Sequence, residues 1–461
     1  MVIVKKVNMD PNARLTFTER FAYGTGDFAG NIVYSAISVF LVFYYTDVIG
    51  LSGAIIGTIM LISRLLDGVS DLVMGVIVDK TKSKHGKARV WILRLCIPYA
   101  ISGVILFSVP TSTSEFIQYV YVFLSYNLAT SIIFTAINVP YATMNALMTQ
   151  NQYERGLLGI FRMLLATAGT LFINTFTLKV VNLLGNTPAA WSMTFIIFGA
   201  LSIAVFLFTF YFTKERVLDD PMDEQDDVPV IEGFKALFKN KYWYIMTFSV
   251  VAMYFSLTLY GGAGVYFAKA IMGNEQAVAP IGNAITIAQI ITMFMTAFFI
   301  KKYGKRNVYA VGALITVVGY TVAGLFPNSF AIIMSGNVIK GIGMGCAASC
   351  MWGMLSDTIE YGEWKTGIRT AGLVNATSSF GNKIGSGMGG AVLGWLISAS
   401  GYDGSATEQS ATAIFAINSA YNFIPLVLTL ITFVLLLFYK LDKEYPQIIA
   451  ELDERKLQKK E

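Results

Sequence analysis

Ionisable side chains that could do chemistry are few in this sequence, and the informative ones sit inside long apolar blocks. Asp27 and Asn31, one helical turn apart, fall in the first block; Arg64, Asp67, Ser70 and Asp71 fall in the second. Spacings of three and four put Arg64, Asp67 and Asp71 on one helix face. Two acids against one base leave a local excess of negative charge, and neighbouring carboxylates resist joint ionisation unless a proton or a metal ion lies between them. That is what a cation site needs. Thr135 and Asn138, in the fourth block, would add neutral oxygens. A purely structural ion pair with Arg64 accounts for Asp67 or for Asp71, but not for both.

Lys383 lies in an eleventh block, inside the small-residue run Gly381 to Gly390. Small residues let helices approach closely, and a lysine there needs an acidic or polar partner. It is placed to bind substrate oxygens, to balance Asp67 or Asp71, or to do both. Arg162, near the start of the fifth block, reaches either an interface or a cavity, and the spacing does not choose. Lys340 and Arg94 can snorkel or pair locally. Tyr141 and Trp352 are candidate platforms for a sugar ring, among many aromatics that simply pack or belt the membrane. His85, the only histidine, sits in a basic loop as a solvated residue. Cys96, Cys346 and Cys350 read as small hydrophobes. No metal-ligand cluster, Walker loop or nucleophile with a base is visible. The chain therefore reads as a non-enzyme with no resident cofactor and no structural metal.

Elements that could hold these residues follow from composition. Of 461 residues only 14% are charged and 55% are hydrophobic, with a mean hydropathy of +0.59. A soluble chain would carry about a quarter charged residues. Blocks of about twenty apolar residues cross a hydrocarbon core of about 30 Å as helices, and the alternation of a membrane barrel is absent. The expectation is an all-α polytopic membrane protein with spans near 22–46, 54–78, 91–110, 116–146, 157–182, 191–213, 242–270, 278–300, 307–326, 330–355, 370–399 and 412–439. The amino end shows no apolar h-region or cleavage site, so the first span serves as its own insertion signal.

A polar linker at 214–241, with acids from Asp219 to Asp227, separates a six-span half at 1–213 from another at 242–440; a tail follows at 441–461. Lys80, Lys82, Lys84, Lys87 and Arg89, then Lys301, Lys302, Lys305 and Arg306, then Lys365 and Arg369 fall in loops on one side, and the opposite loops are nearly bare. Positive short loops stay in the cytoplasm, which places both termini there, in a plasma membrane. The net charge of +5 forms no stripe for nucleic acid. Basic, glycine-containing loops at 75–87 and 301–306 occupy corresponding places in the halves, as expected of a repeat that rocks about a midplane site.

These residues resemble the glycoside-pentoside-hexuronide cation symporters, a branch of the major facilitator superfamily. The likeness runs through nearly the whole chain. It is carried by Tyr23-Gly24-x-Gly26-Asp27-x-x-x-Asn31, Phe43-Tyr44-Tyr45-Thr46-Asp47, Arg64-x-x-Asp67-x-x-x-Asp71, the loop Asp79 to Lys87, and Asp357-x-x-x-Tyr361-Gly362-Glu363-Trp364-Lys365-Thr366-Gly367. The resemblance implies a major facilitator fold of twelve helices. It makes Asp67 and Asp71 the cation-binding acids, with Thr135 a further ligand and Ser70 standing where the family has an asparagine. It also places Arg162 near the sugar and matches Lys383 to the family's eleventh-span lysine. The family's galactoside member has acids where this chain has Asn31 and Asn138, so the pattern is closer to the glucuronide and xyloside members, with Asp27 supplying the sugar contact.

The function so implied is secondary active symport of a sugar or glycoside with H⁺ or Na⁺ by alternating access. Lys80, Lys87, Asp357, Glu360 and Glu363 would form ion pairs that latch the cytoplasmic side. The alternatives are an uncoupled or exchange-type facilitator, and a non-transporting membrane sensor on the same scaffold.

Overall fold

The computed structural model describes residues 14–217, 230–406 and 408–458. The acidic run Asp219 to Asp227 lies outside them. Among the described residues every regular element is helical. The long helices are α1 (Phe17–Val48), α2 (Gly53–Asp79), α3 (Arg89–Leu106), α4 (Glu115–Met148), α5 (Gln152–Leu183) and α6 (Pro188–Phe212), followed by α7 (Lys241–Ile271), α8 (Glu275–Tyr303), α9 (Lys305–Leu325), α10 (Phe330–Thr366), α11 (Ala371–Ala399) and α12 (Ala411–Phe438). Ten of these, counted over the described residues, are long and apolar enough to cross a membrane. The second and eleventh expected spans fall on α2 and α11, whose interiors carry Arg64, Asp67 and Asp71, and Asn382 and Lys383. Two shorter helices, Val230–Phe238 and Leu441–Gln458, fall where the sequence suggests linker and tail.

Local chemistry sets the helix starts. Thr16 and Glu19 form a reciprocal capping box at α1, Asn151 caps α5, Thr187 precedes Pro188 at α6, and Asn240 caps α7. Each supplies an acceptor to backbone N–H groups that have no partner inside the helix.

The chain divides into two compact units. One comprises the described residues of Met1–Leu51 and Leu66–Asp223, the other those of Ser52–Leu65 and Glu224–Glu461. In the first, α1 packs along α5 and α6, and α3 along α6 and α4. In the second, α7 packs along α11 and α12, and α9 along α12 and α10. Adding six to each helix number in the first set gives the second. Both α1 and α7 also end in a five-residue π-turn, Tyr44–Val48 and Phe267–Ile271. The repeat is therefore one of packing as well as of loop chemistry.

The division departs from a cut at the central linker in one place: residues 52–65 of α2 group with the second unit. Gly57 there lies against the backbone of Ala391, and Gly394 against that of Gly53. Arg64, 5% exposed, runs its side-chain stem over Gly387.

The second unit also holds a lysine in its core. Lys340 on α10 is 1% exposed. Its ammonium donates to Asn337 Oδ1 at 2.9 Å and to Asn422 Oδ1 at 2.7 Å. It also lies 4.7 Å and 4.5 Å from the ring centroids of Tyr320 and Tyr421. Asn337 donates in turn to Ile281 O on α8 and to the Tyr421 hydroxyl on α12. One cation thus ties α8, α9, α10 and α12 together by amide oxygens and aromatic faces.

Candidate functional site

Two carboxylates of α2 meet two hydroxyls of α4 inside the first unit. Ser131 Oγ donates to Asp67 Oδ1, and Thr135 Oγ1 donates to Asp71 Oδ1 at 3.2 Å. Asp67 and Asp71 are four residues apart, as are Ser131 and Thr135, so the contacts are successive rungs between parallel helices. Asp67 is 1% exposed, and Ser131 and Thr135 are buried, whereas Asp71 is half-buried. Asn127 extends the α4 face one turn earlier, its Oδ1 3.4 Å from Ser131 Oγ. The result is a ladder of anionic and neutral oxygens inside apolar helices, the donor set of a hard monovalent cation or of a proton.

A second cluster in the same unit joins α1, α4 and α5. Arg162 Nε donates to Asp27 Oδ2 at 2.6 Å, with both side chains partly exposed. The guanidinium lies 5.0 Å from the centroid of the Tyr141 ring. Tyr141 stacks on Tyr23 at 4.9 Å and donates its hydroxyl to Tyr23 O at 2.5 Å. Gly26 faces the same ring so closely that a Cβ there would come within 2.4 Å of it. Hence the spacing of Tyr23, Gly26 and Asp27: one residue stacks, one makes room and one carries charge. Asn31 donates to Asp27 O at 2.8 Å and accepts from Ser35, which bonds Thr170 of α5. The Asp27 and Arg162 groups together present an acceptor beside donors, a geometry that suits the vicinal hydroxyls of a sugar.

Tyr141, expected as an open platform, is 3% exposed. Its ring is enclosed by Tyr23, Gly26 and Arg162, so it orients the Arg162 pair. Trp352 on α10 is 42% exposed. The Ser70 hydroxyl bonds back to Asp67 O at 2.8 Å, inside its own helix. Asn138 is half-buried on the Thr135 side of α4, and Lys383 is half-buried on α11 in the second unit.

The family profile for MFS/sugar transport proteins matches residues 22–443. The chain belongs to this family. The isoprimeverose transporter of Lactiplantibacillus pentosus is 33% identical over 96% of this chain and 92% of its own length. A putative glycoside/cation symporter of Escherichia coli (strain K12) is 31% identical, over 93% of each. Among solved structures, the D-xylose–proton symporter superposes with a TM-score of 0.61 at 13% identity over 92% of this chain and 97% of that one. A nucleoside transporter mutant does so with 0.63 at 16%, over 90% and 99%. These likenesses fix the fold as that of the major facilitator superfamily.

Within this sugar-transport family member, the conspicuous motif at the end of α10 has a structural account residue by residue. Asp357 pairs with Lys305 at 2.5 Å. Glu360 and Glu363 pair with Arg369 at 3.3 and 2.6 Å. Tyr361 meets Tyr242 edge to face, the Trp364 indole donates to Glu451 of the carboxyl-terminal helix, and Lys365 donates to Lys239 O. The acids expected to pair with Lys80 and Lys87 thus have partners inside their own unit. In the first unit Lys80 is exposed. The backbone of Lys87 donates to Glu215, as do Ala88 and Arg89, so a distant carboxylate caps α3.

Sequence reasoning missed Ser131, Lys305, Arg369 and Glu215 as partners. Ser131 had a signal, since it precedes Thr135 by the interval that separates Asp67 from Asp71. Glu215 had none, because the contact spans 126 to 128 residues.

Proposed function

We propose that this protein is a cation-coupled glycoside symporter of the cell membrane, with both termini in the cytoplasm. The coupling cation, H⁺ or Na⁺, is bound by Asp67 and Asp71 with Thr135 and Ser131, and the sugar by Asp27, Arg162 and Asn31. Asn138, on the Thr135 side of α4, adds a further contact to the sugar. The observation that carries this reading is the two-rung ladder between α2 and α4. Its two carboxylates, one turn apart, each meet a hydroxyl oxygen within apolar helices, an oxygen set suited to a hard cation or a proton.

The substrate is assigned as a neutral, pentose-containing glycoside, because Asp27 neutralises Arg162 and leaves no unbalanced cation in that cluster for a uronic acid. The name of the isoprimeverose transporter, a relative across nearly the full length, supports the same class. In everted and right-side-out vesicles, labelled xyloside should accumulate under an imposed H⁺ or Na⁺ gradient. Asp67→Asn and Asp71→Asn should abolish accumulation while retaining sugar exchange. Normal accumulation by both variants would place coupling elsewhere.

A further inference from the structure

Four cations stand at the turn between α8 and α9: Lys301, Lys302, Lys305 and Arg306. Two are employed within the protein. Lys305 holds Asp357, and the Arg306 guanidinium donates to the last carbonyls of α12, Leu436 O and Leu437 O. Lys301 and Lys302 are exposed, and among the described residues neither has a carboxylate partner. Lys302 lies 5.2 Å from the Tyr303 ring centroid, at the very end of α8.

From that end a trough of about 640 Å³ runs up the outside of the second unit. Its shape comes from which helices touch. Both α8 and α9 pack along α10 but scarcely meet each other, so α10 forms the floor and the other two form walls. One wall is Ile291, Met295 and Phe299, each one turn beyond the last, leading to Tyr303; the other is Ile315 and Val311, leading to Asn307. Ile291 to Tyr303 covers about 18 Å of helix, comparable to a long acyl chain. These wall residues are large, apolar and mostly exposed, and the polar rim begins where the free lysines stand.

We propose that this trough binds an anionic glycerophospholipid, one acyl chain lying between α8 and α9 and the phosphate held by Lys301 and Lys302. Charge decides the occupant. A second copy of the chain would bring the same two lysines to a shared interface, and a zwitterionic lipid would leave their charge unbalanced. Basic residues that adjoin an apolar groove at the membrane surface select anionic headgroups.

Native mass spectrometry of the full chain in detergent tests this, titrating phosphatidylglycerol and phosphatidylcholine with matched acyl chains. The wild type should retain phosphatidylglycerol at a dose roughly tenfold to thirtyfold lower than phosphatidylcholine. Lys301→Gln/Lys302→Gln should erase that preference. Val311→Trp, which fills the trough at an exposed position, should weaken retention of both lipids. Equal retention of the two lipids by the wild type overturns the site. So does a Val311→Trp variant that retains phosphatidylglycerol normally, since the lysines would then act as a surface patch alone. A lipid-free dimer as the stable species overturns it as well.

Discussion

Asp67 is the most committed residue of the candidate site. It is almost fully buried, and Ser131 donates to it across the helix interface. A hydroxyl that donates to a carboxylate also offers a lone pair to a cation held between them, so Ser131 should act as a ligand as much as a brace. Ser131→Ala is expected to raise the cation concentration for half-maximal uptake about tenfold, with little change in maximal rate, as Thr135→Ala should do on the Asp71 rung. A cation dependence unchanged in Ser131→Ala would reduce that residue to packing. Asp67 and Asp71 are legible in sequence because charge inside an apolar block is expensive and stands out, and Thr135 through the family resemblance. Ser131 is harder to see, since serine is common in membrane helices. The enclosed state of Tyr141 is harder still, because it depends on Gly26 arriving from another helix.

Helices are where the sequence speaks most clearly, because an apolar block of membrane length has few other solutions. Their partners are less legible. Loop charges alone hint at the repeat, whereas the packing of α1 on α5 and α6, echoed by α7 on α11 and α12, needs coordinates. The helix pair α8 and α10, six places on from α2 and α4, differs instructively. Gly341 and Gly345 bring α10 so close that a Cβ on either would lie within 2.7 Å of a carbonyl oxygen of α8. The pair closes on itself and leaves no space for an oxygen ladder; the residue just before Gly341, Lys340, brings an amine into the core instead. Lys340→Met would strip the donor from two buried amide oxygens, at about 1–3 kcal/mol each. The thermal midpoint of the extracted protein should fall by several degrees, with the cation dependence of uptake unaltered. A midpoint equal to the wild type would mean that the four helices do not rely on this lysine.

For the whole molecule, the charge of what it carries becomes measurable. A neutral glycoside moving with one cation transfers one elementary charge, worth about 2.3 kcal/mol per 100 mV, or roughly fiftyfold in accumulation. Xyloside uptake into vesicles should therefore rise steeply with an inside-negative potassium diffusion potential. Xyloside uptake insensitive to that potential would mean that no net charge moves with the sugar, as in an uncoupled facilitator. The shared helix α2 bears on a different property, the timing of synthesis. Residues 52–65 pack with α11, yet Gly387 is translated roughly 320 residues after Arg64, a wait of about 16 to 64 s at 5–20 residues per second. During that interval an arginine in a membrane segment has not yet met the helix it rests on. A charge at the centre of a membrane helix costs about 2.5–3.5 kcal/mol on insertion scales, and packing against α11 can offset that only once the last quarter of the chain has been made.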